Sequence, residues 1–261
     1  EVNTLVWDDN VKGMMDITKQ YDGNKFFKVE DYEKYNWSEI ACIVLSAGIP
    51  LTHPKPHHIV DLAKANNCPI ICDVELLYKC YPNNNYIGIT GTNGKSTTTA
   101  LLGHIFDNAK LDYDMGGNLG NKAALDLTKF QNDAYYIIEM SSYMIDLIYD
   151  TKFKTAILTN ITPDHIDRHG SFDNYIEVKK KIFMNMNSGC YAIICIDNEN
   201  SKRVYEELKK DITFKGNLLP VSVKKILKDG ISFIDGEIFD YYDGNNKTIV
   251  VGDLKYLKGE H

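Results

Sequence analysis

Tyr86-Ile87-Gly88-Ile89-Thr90-Gly91-Thr92-Asn93-Gly94-Lys95-Ser96-Thr97-Thr98-Thr99 is the stretch whose reading decides the fold. Residues 86–90 are β-branched, aromatic or small, as in a buried strand, and residues 91–94 carry two glycines. Downstream, Leu102, Ile105, Phe106 and Ala109 recur at helical spacing. Strand, glycine loop and helix in that order form a phosphate-binding device. Glycines let successive N–H groups converge on phosphate oxygens, the helix start adds partial positive charge, and a lysine reaches the β- and γ-phosphates. Gly91, Thr92, Asn93, Gly94, Lys95, Ser96 and Thr97 are therefore the candidate ATP-binding residues, with Ser96 offering a hydroxyl to Mg²⁺. A strict G-x-x-x-x-G-K-[ST] pattern would place glycine at 89, where this chain has Ile89, so the match is to a variant of the loop.

Outward from this loop, short apolar runs alternate with helical patterns. They are Leu5-Val6-Trp7, Cys42–Leu45, Ile70-Ile71-Cys72, Tyr86–Thr90, Tyr135–Ile138, Ala156–Thr159 and Ala192–Ile196. Strands alternating with helices predict parallel α/β sheets. Tyr81-Pro82-Asn83-Asn84-Asn85 reads as a linker, dividing an N-terminal domain over 1–84 from a central domain over 85–261. From about Val221, Asp229-Gly230, Asp235-Gly236 and Asp243-Gly244 are hairpin signals and predict a small antiparallel appendage. Leu5-Val6-Trp7-Asp8-Asp9 reads as a second Rossmann strand with its acidic end and no Gly-rich turn ahead of it, and both chain ends read as cut.

The 261 residues carry 29 Lys+Arg against 36 Asp+Glu, a net charge of −7, so no overall basic field attracts nucleic acid or an anionic membrane, and any phosphate needs a local device. No apolar run approaches the ~18 residues of a membrane span, and the chain is expected to be cytoplasmic. The six cysteines form no C-x-x-C pair and are expected to be buried thiols. His53, His57 and His58 lie among prolines and are expected on the surface.

Two further stretches carry chemistry. Glu139 ends the run Tyr135–Ile138, which presents a carboxylate at the carboxyl edge of a buried strand, where it can hold the Mg²⁺ of a nucleotide. The strand Ala156–Thr159 delivers Asn160-Ile161-Thr162-Pro163-Asp164-His165-Ile166-Asp167-Arg168-His169 to the same edge. Tyr175–Phe183 is helical, and its three lysines would ordinarily be a solvated face.

Taken in order, Gly91–Thr97, Gly116-Gly117-Asn118-Leu119-Gly120, Glu139-Met140-Ser141-Ser142, Asn160–His169 and Lys179 resemble the Mur ligases of peptidoglycan synthesis. Ser46-Ala47-Gly48-Ile49-Pro50 and Cys72-Asp73-Val74-Glu75-Leu76 extend the resemblance toward the N-terminus. It is strongest to the member that adds D-glutamate to UDP-N-acetylmuramoyl-L-alanine. The resemblance implies a Rossmann-like domain for the UDP-sugar, a central P-loop domain for ATP and two Mg²⁺, and a C-terminal domain for the amino acid, which this chain does not contain. It implies catalytic roles for Lys95, Glu139, His165 and Lys179. Ser96, Glu139, His165 and Lys179 would serve the metals, Lys179 as a carbamate. Asp8, Ser46, Gly48, Asn118 and Ser141 would contact the UDP-substrate. Two residues depart from the family pattern: Met144 stands for a frequent glutamine and Ala47 for the proline of a Ser-Pro-Gly turn. The implied chemistry is an acyl phosphate made from ATP and the substrate carboxylate, then displacement by the amine of D-glutamate, in a monomeric enzyme. Competing readings are a sibling Mur ligase, a folylpolyglutamate synthetase, and a noncatalytic Mg-ATP-binding module.

Overall fold

The computed structural model describes residues 3–120, 122–127 and 133–251. In chain order the strands and helices are β1 (Thr4–Val6), α1 (Val11–Gln20), β2 (Phe27–Val29), β3 (Ile43–Val44), α2 (His58–Ala65), β4 (Ile70–Ile71), α3 (Asp73–Cys80), β5 (Asn85–Thr90), α4 (Lys95–Ala109), β6 (Tyr113–Gly117), β7 (Tyr135–Glu139), α5 (Ser142–Ile145), β8 (Thr155–Leu158), α6 (Ile166–His169), α7 (Phe172–Lys180), β9 (Tyr191–Cys195), α8 (Glu199–Lys210), β10 (Asn217–Ser222), β11 (Ile231–Ile234), β12 (Glu237–Asp240) and β13 (Lys247–Val250). Mixed α/β architecture is thus as the alternation predicts. No helix among the described residues is long and apolar enough to cross a membrane.

A 9-stranded sheet dominates, in the order β13-β12-β11-β10-β9-β8-β5-β7-β6. From β6 to β11 every neighbouring pair is parallel, and β11-β12 and β12-β13 are antiparallel. The hairpin signals at Asp235-Gly236 and Asp243-Gly244 are borne out, whereas Asp229-Gly230 joins two parallel strands and makes no hairpin, and all these strands extend the edge of this same sheet and are not a separate appendage. The reason is β10, which pairs with β9 over Asn217–Val221 and hands its other edge to β11 at Val221 and Ser222. On the N-terminal side the described residues form two parallel pairs, β1-β2 and β3-β4.

β5 lies between β7 and β8, so the chain passes from one side of it to the other. At such a switch point the carboxyl ends of the strands open a crevice. Both faces of β5 are covered. Ile87 and Ile89 meet Phe106 of α4 and Ile137, while Tyr86 faces a second cluster with Tyr136 and Phe153. That second cluster runs on without interruption into Ile43, Leu45, Val60, Val74 and Leu77, on the N-terminal side of the expected linker. Full burial of each such side chain is worth about 1.5–3 kcal/mol, which makes this shared core the main bond between the two halves.

Two expectations change on packing, that for Ile105 and that for the cysteines. Ile105 is 50% exposed, because α4 presents Thr99, Gly103 and Phe106 to the sheet. Gly103 sets that stripe, since a Cβ there would meet the Tyr113 hydroxyl at 3.1 Å and Met115 at 3.2 Å. Gly116 and Gly117, the first two residues of the quoted Gly-Gly-Asn-Leu-Gly stretch, close strand β6. Among the cysteines, Cys68, Cys72 and Cys190 are buried, but Cys80 ends α3 on its exposed side.

Candidate functional site

Gly91 is at φ +155° and Gly94 at +82°, both in territory that favours glycine. A Cβ on Gly91 would also lie 1.9 Å from the Thr159 hydroxyl. The loop after β5 is thereby pressed against the segment leaving β8 and stitched to it. Thr92 N–H donates to Asn160 O (2.9 Å) and Asn93 N–H to Asn160 Oδ1 (2.9 Å), while Asn160 Nδ2 returns a bond to Asn93 O (3.1 Å). The Thr159 hydroxyl also donates to Asn93 O, at 2.7 Å. Thr92 Oγ1 takes the Thr162 N–H (2.9 Å) and stands 3.2 Å from the Tyr175 hydroxyl. Lys95, the first residue of α4, folds back so that its Nζ donates to Gly91 O and Thr92 O, each at 3.0 Å. Ser96 and Thr97 follow it, exposed at the start of the helix, where N–H groups have no intrahelical acceptor.

Lys179 comes to the same carbonyl from below. It lies in the last turn of α7, is 1% exposed, and donates to Gly91 O (3.0 Å) and Thr90 Oγ1 (3.2 Å), with the Tyr175 ring 4.8 Å from its Nζ. Burial, together with the neighbouring Lys95 charge and against the pull of Asp164, lowers its pKa to about 7. The surface role that its helix suggests in isolation is therefore excluded, because α7 turns Tyr175, Ile176, Val178 and Lys179 inward.

Glu139, the last residue of β7, is 1% exposed. Its Oε1 accepts from Asn118 Nδ2 at 2.9 Å, and the Asn118 N–H is bonded to the Glu139 carbonyl at 2.9 Å. Its Oε2 is buried and has no hydrogen-bond partner among the described residues. A buried carboxylate oxygen left in this way suits a cation, since an uncompensated one is costly. His165 is in the left-handed region (φ +49°) and exposed, with its Nε2 3.4 Å from Asp164 Oδ2 and its ring 5.0 Å from that of Tyr143. Among the described residues no group of three or more His, Cys, Asp or Glu side chains stands close enough to hold a metal ion by itself. That donor set suits Mg²⁺, which takes one or two carboxylates and completes its shell with phosphate and water oxygens.

The expected sugar-nucleotide residues are scattered differently. Ser46 and Asn118 line one cleft of about 350 Å³ together with Ala47, Asp73, Tyr143 and Met144. Gly48 is in the same turn as Ser46, and its carbonyl accepts from Arg168 at 3.1 Å. Ser141 caps α5, its hydroxyl accepting from Met144 N–H at 3.2 Å. Asp8 is exposed and accepts from Asn10 N–H; its neighbour Asp9 is the aspartate that reaches across to His57, at 2.9 Å. Sequence reasoning assigned no role to Tyr143, Arg168, Asp164 or Tyr175. Arg168 and Asp164 lie inside the quoted stretch 160–169, and Tyr143 follows Glu139 by four residues, but only the folded chain shows what they touch.

The sequence pattern of the family described as "Mur ligase middle domain" matches residues 89–219. A curated relative, UDP-N-acetylmuramoylalanine--D-glutamate ligase of Rickettsia prowazekii (strain Madrid E), is 42% identical over 257 residues, covering 98% of this chain and 54% of the relative. The protein of that description from Paramagnetospirillum magneticum (strain ATCC 700264 / AMB-1) is 41% identical over 223 residues, 84% of this chain and 46% of the relative. The chain thus spans about half the length of the curated relatives it matches. Among solved structures, the UDP-N-acetylmuramate:L-alanyl-gamma-D-glutamyl-meso-diaminopimelate ligase from Neisseria meningitides superposes with a TM-score of 0.53 at 13% identity, over 95% of this chain and 78% of that one, a likeness of fold.

Proposed function

The chain belongs to the Mur ligase family, and from that premise we propose that it serves an ATP-dependent ligase joining D-glutamate to UDP-N-acetylmuramoyl-L-alanine in cytoplasmic peptidoglycan precursor synthesis. The observation that carries the reading is the meeting of Lys95 and Lys179 on one carbonyl, Gly91 O, beneath a glycine loop. A simple nucleotide binder has no use for the second, buried lysine. We read residues 1–84 as a Rossmann-like domain for the UDP-sugar and 85–261 as the P-loop domain, with the enzyme acting as a monomer.

In this reading, ATP phosphates replace the Gly91 and Thr92 carbonyls as partners of Lys95 and lie over the first turn of α4. The substrate carboxylate attacks the γ-phosphate in line, giving ADP and an acyl phosphate; the amine of D-glutamate then displaces inorganic phosphate. Repulsion between two anions is the barrier the chain can lower, and Lys95 offsets it by charge. Ser96 and Glu139 would hold one Mg²⁺, and His165 with Lys179 a second. When bound, these ions supply charge neutralisation and orientation of the phosphate oxygens. Lys179, with its pKa near 7, has a sizeable unprotonated fraction at neutral pH. In that form its nitrogen can add to the carbon of CO₂ and release a proton. The carbamate so formed carries an anionic oxygen where an ammonium would repel a cation.

The test is ADP release by the protein in its full natural length, with Mg²⁺, UDP-N-acetylmuramoyl-L-alanine and a panel of amino acids. Turnover with D-glutamate alone is expected. Turnover with another amino acid would keep the family and change the member, and ATP binding without any turnover would favour a noncatalytic module.

A further inference from the structure

Arg168 lies where the stretch carrying His165 meets the turn that carries Ser46. From α6 its guanidinium donates to three backbone carbonyls of that turn: Gly48 O at 3.1 Å, Ile49 O at 3.0 Å and Ala47 O at 3.5 Å. Its carbon centre also stands 4.5 Å from the centroid of the Tyr143 ring. Tyr143 is the aromatic wall of the cleft that Ser46 and Asn118 share. The same ring is 5.0 Å from that of His165 and stacks on that of His169 at 5.6 Å. His169 is in turn held by the Ser142 hydroxyl, 2.9 Å from its Nε2. A second close approach joins the two segments, for the His53 ring occupies the space where a Cβ on Gly170 would lie, 2.7 Å away.

We propose that Arg168 is a positioning residue that fixes the distance between the sugar-nucleotide turn Ser46–Gly48 and the phosphate loop, and so presents the substrate carboxylate to ATP. The proposal rests on the reading of that turn given above. Arginine is suited to the task by its shape. A planar fork of five N–H donors can serve three convergent carbonyls and still lay a face on an aromatic ring, whereas a lysine ammonium is a single point with neither property. Because every acceptor is a backbone oxygen, the clamp is indifferent to the alanine that stands at position 47. The other end of the connection is equally firm. Asn160 and Thr162, upstream on the same segment, are bonded to Asn93 and Thr92 of the phosphate loop.

The experiment compares wild type, Arg168→Gln and Arg168→Lys in the full-length protein by steady-state kinetics and by backbone hydrogen exchange. The expected result is a KM for UDP-N-acetylmuramoyl-L-alanine raised about tenfold or more, with the KM for ATP within about twofold of wild type. Arg168→Lys keeps the charge but loses the fork, and is expected to recover little of the affinity. Exchange should quicken at residues 46–53 and stay unchanged at 91–97. An unaltered KM for the sugar nucleotide would overturn the proposal, as would equal losses for both substrates accompanied by a lower melting temperature. A fall in kcat alone would also overturn it, in favour of direct contact with the reacting atoms. If Arg168→Gln does not fold, the Arg168→Lys comparison decides by the same criteria. Should wild type turn over no sugar nucleotide at all, the functional reading falls, and localised exchange in the variants would still separate the clamp from it.

Discussion

A lysine that is 1% exposed and faces a hydroxyl, a carbonyl and an aromatic ring, with no carboxylate among the described residues bonded to it, is held in an environment that disfavours its charge. Its folded pKa, about 7, lies below the 10.5 of a free lysine. Between those values the unfolded chain binds the extra proton, so stability rises with pH across the window and the full cost of burial is felt below it. Lys179→Met is therefore expected to stabilise the fold, most strongly below pH 7, while abolishing turnover; denaturant midpoints on either side of pH 7 and an ADP assay check the two halves. Lys179→Ala should be silent however much bicarbonate is added, and normal turnover in it would refute the assigned role. At Glu139 the open oxygen Oε2 makes the corresponding prediction. Glu139→Gln keeps the shape and an acceptor for Asn118 but removes the charge, and the Mg²⁺ concentration for half-maximal activity should rise about tenfold or more.

At the scale of elements, the glycine loop after β5 belongs as much to β8 as to β5. Its glycines are legible in the sequence, because only they suit the backbone angles and the close contact with Thr159. Its fastening is not, because Asn160 is 67 residues from Asn93 and nothing in its neighbourhood announces a partner. Gly91→Ala is expected to abolish nucleotide binding, measured by calorimetry with ADP, since the new Cβ and the Thr159 hydroxyl cannot share one position. The outer strands teach a related lesson. Asp-Gly pairs mark the turns of β11 to β13, but the register that adds them to the main sheet is set by the free edge of β10. Helix α4 shows the limit of periodicity: Leu102, Ile105 and Phe106 are equally apolar, and the close approach of Tyr113 and Met115 at Gly103 decides which of them faces inward.

Over the whole molecule, the N-terminal half is joined to the main sheet by more than shared apolar surface. Glu75 of α3 is fully buried and accepts from the N–H groups of Tyr149 (3.0 Å), Asp150 (2.9 Å) and Thr151 (3.0 Å) and from the Thr151 hydroxyl (2.6 Å). Burial raises its pKa, but these hydrogen bonds prevail and hold it below the ordinary 4.5. The bonded carboxylate thus contributes stability above the ordinary value, which is lost as pH falls through the depressed one. Glu75→Ala would leave three N–H groups without their acceptor, one of them on the fully buried Thr151, at an expected cost of about 1–3 kcal/mol in a denaturant titration, and would flatten the acid limb of the stability curve. Glu75 fastens the halves through buried backbone bonds to residues 149–151, and Arg168 through the turn of Ser46, so the first variant should lower stability and the second the affinity for one substrate.

The strand–loop–helix order, the parallel α/β class, the glycine loop with Lys95, and the placing of Glu139 and Asn160–His169 at strand ends were determined by the sequence alone. Those features depend on local backbone preference and on the period of apolar residues, both of which are written in neighbouring positions. Only the tertiary structure decided that Lys179 is buried against Gly91, that Glu139 is bonded to Asn118, that Arg168 grips the turn of Ser46, and that Glu75 accepts from residues 149–151. Each of these joins residues from 21 to 121 positions apart. Their partners are chosen by where the sheet brings strand ends and helices together, which no short stretch of sequence records.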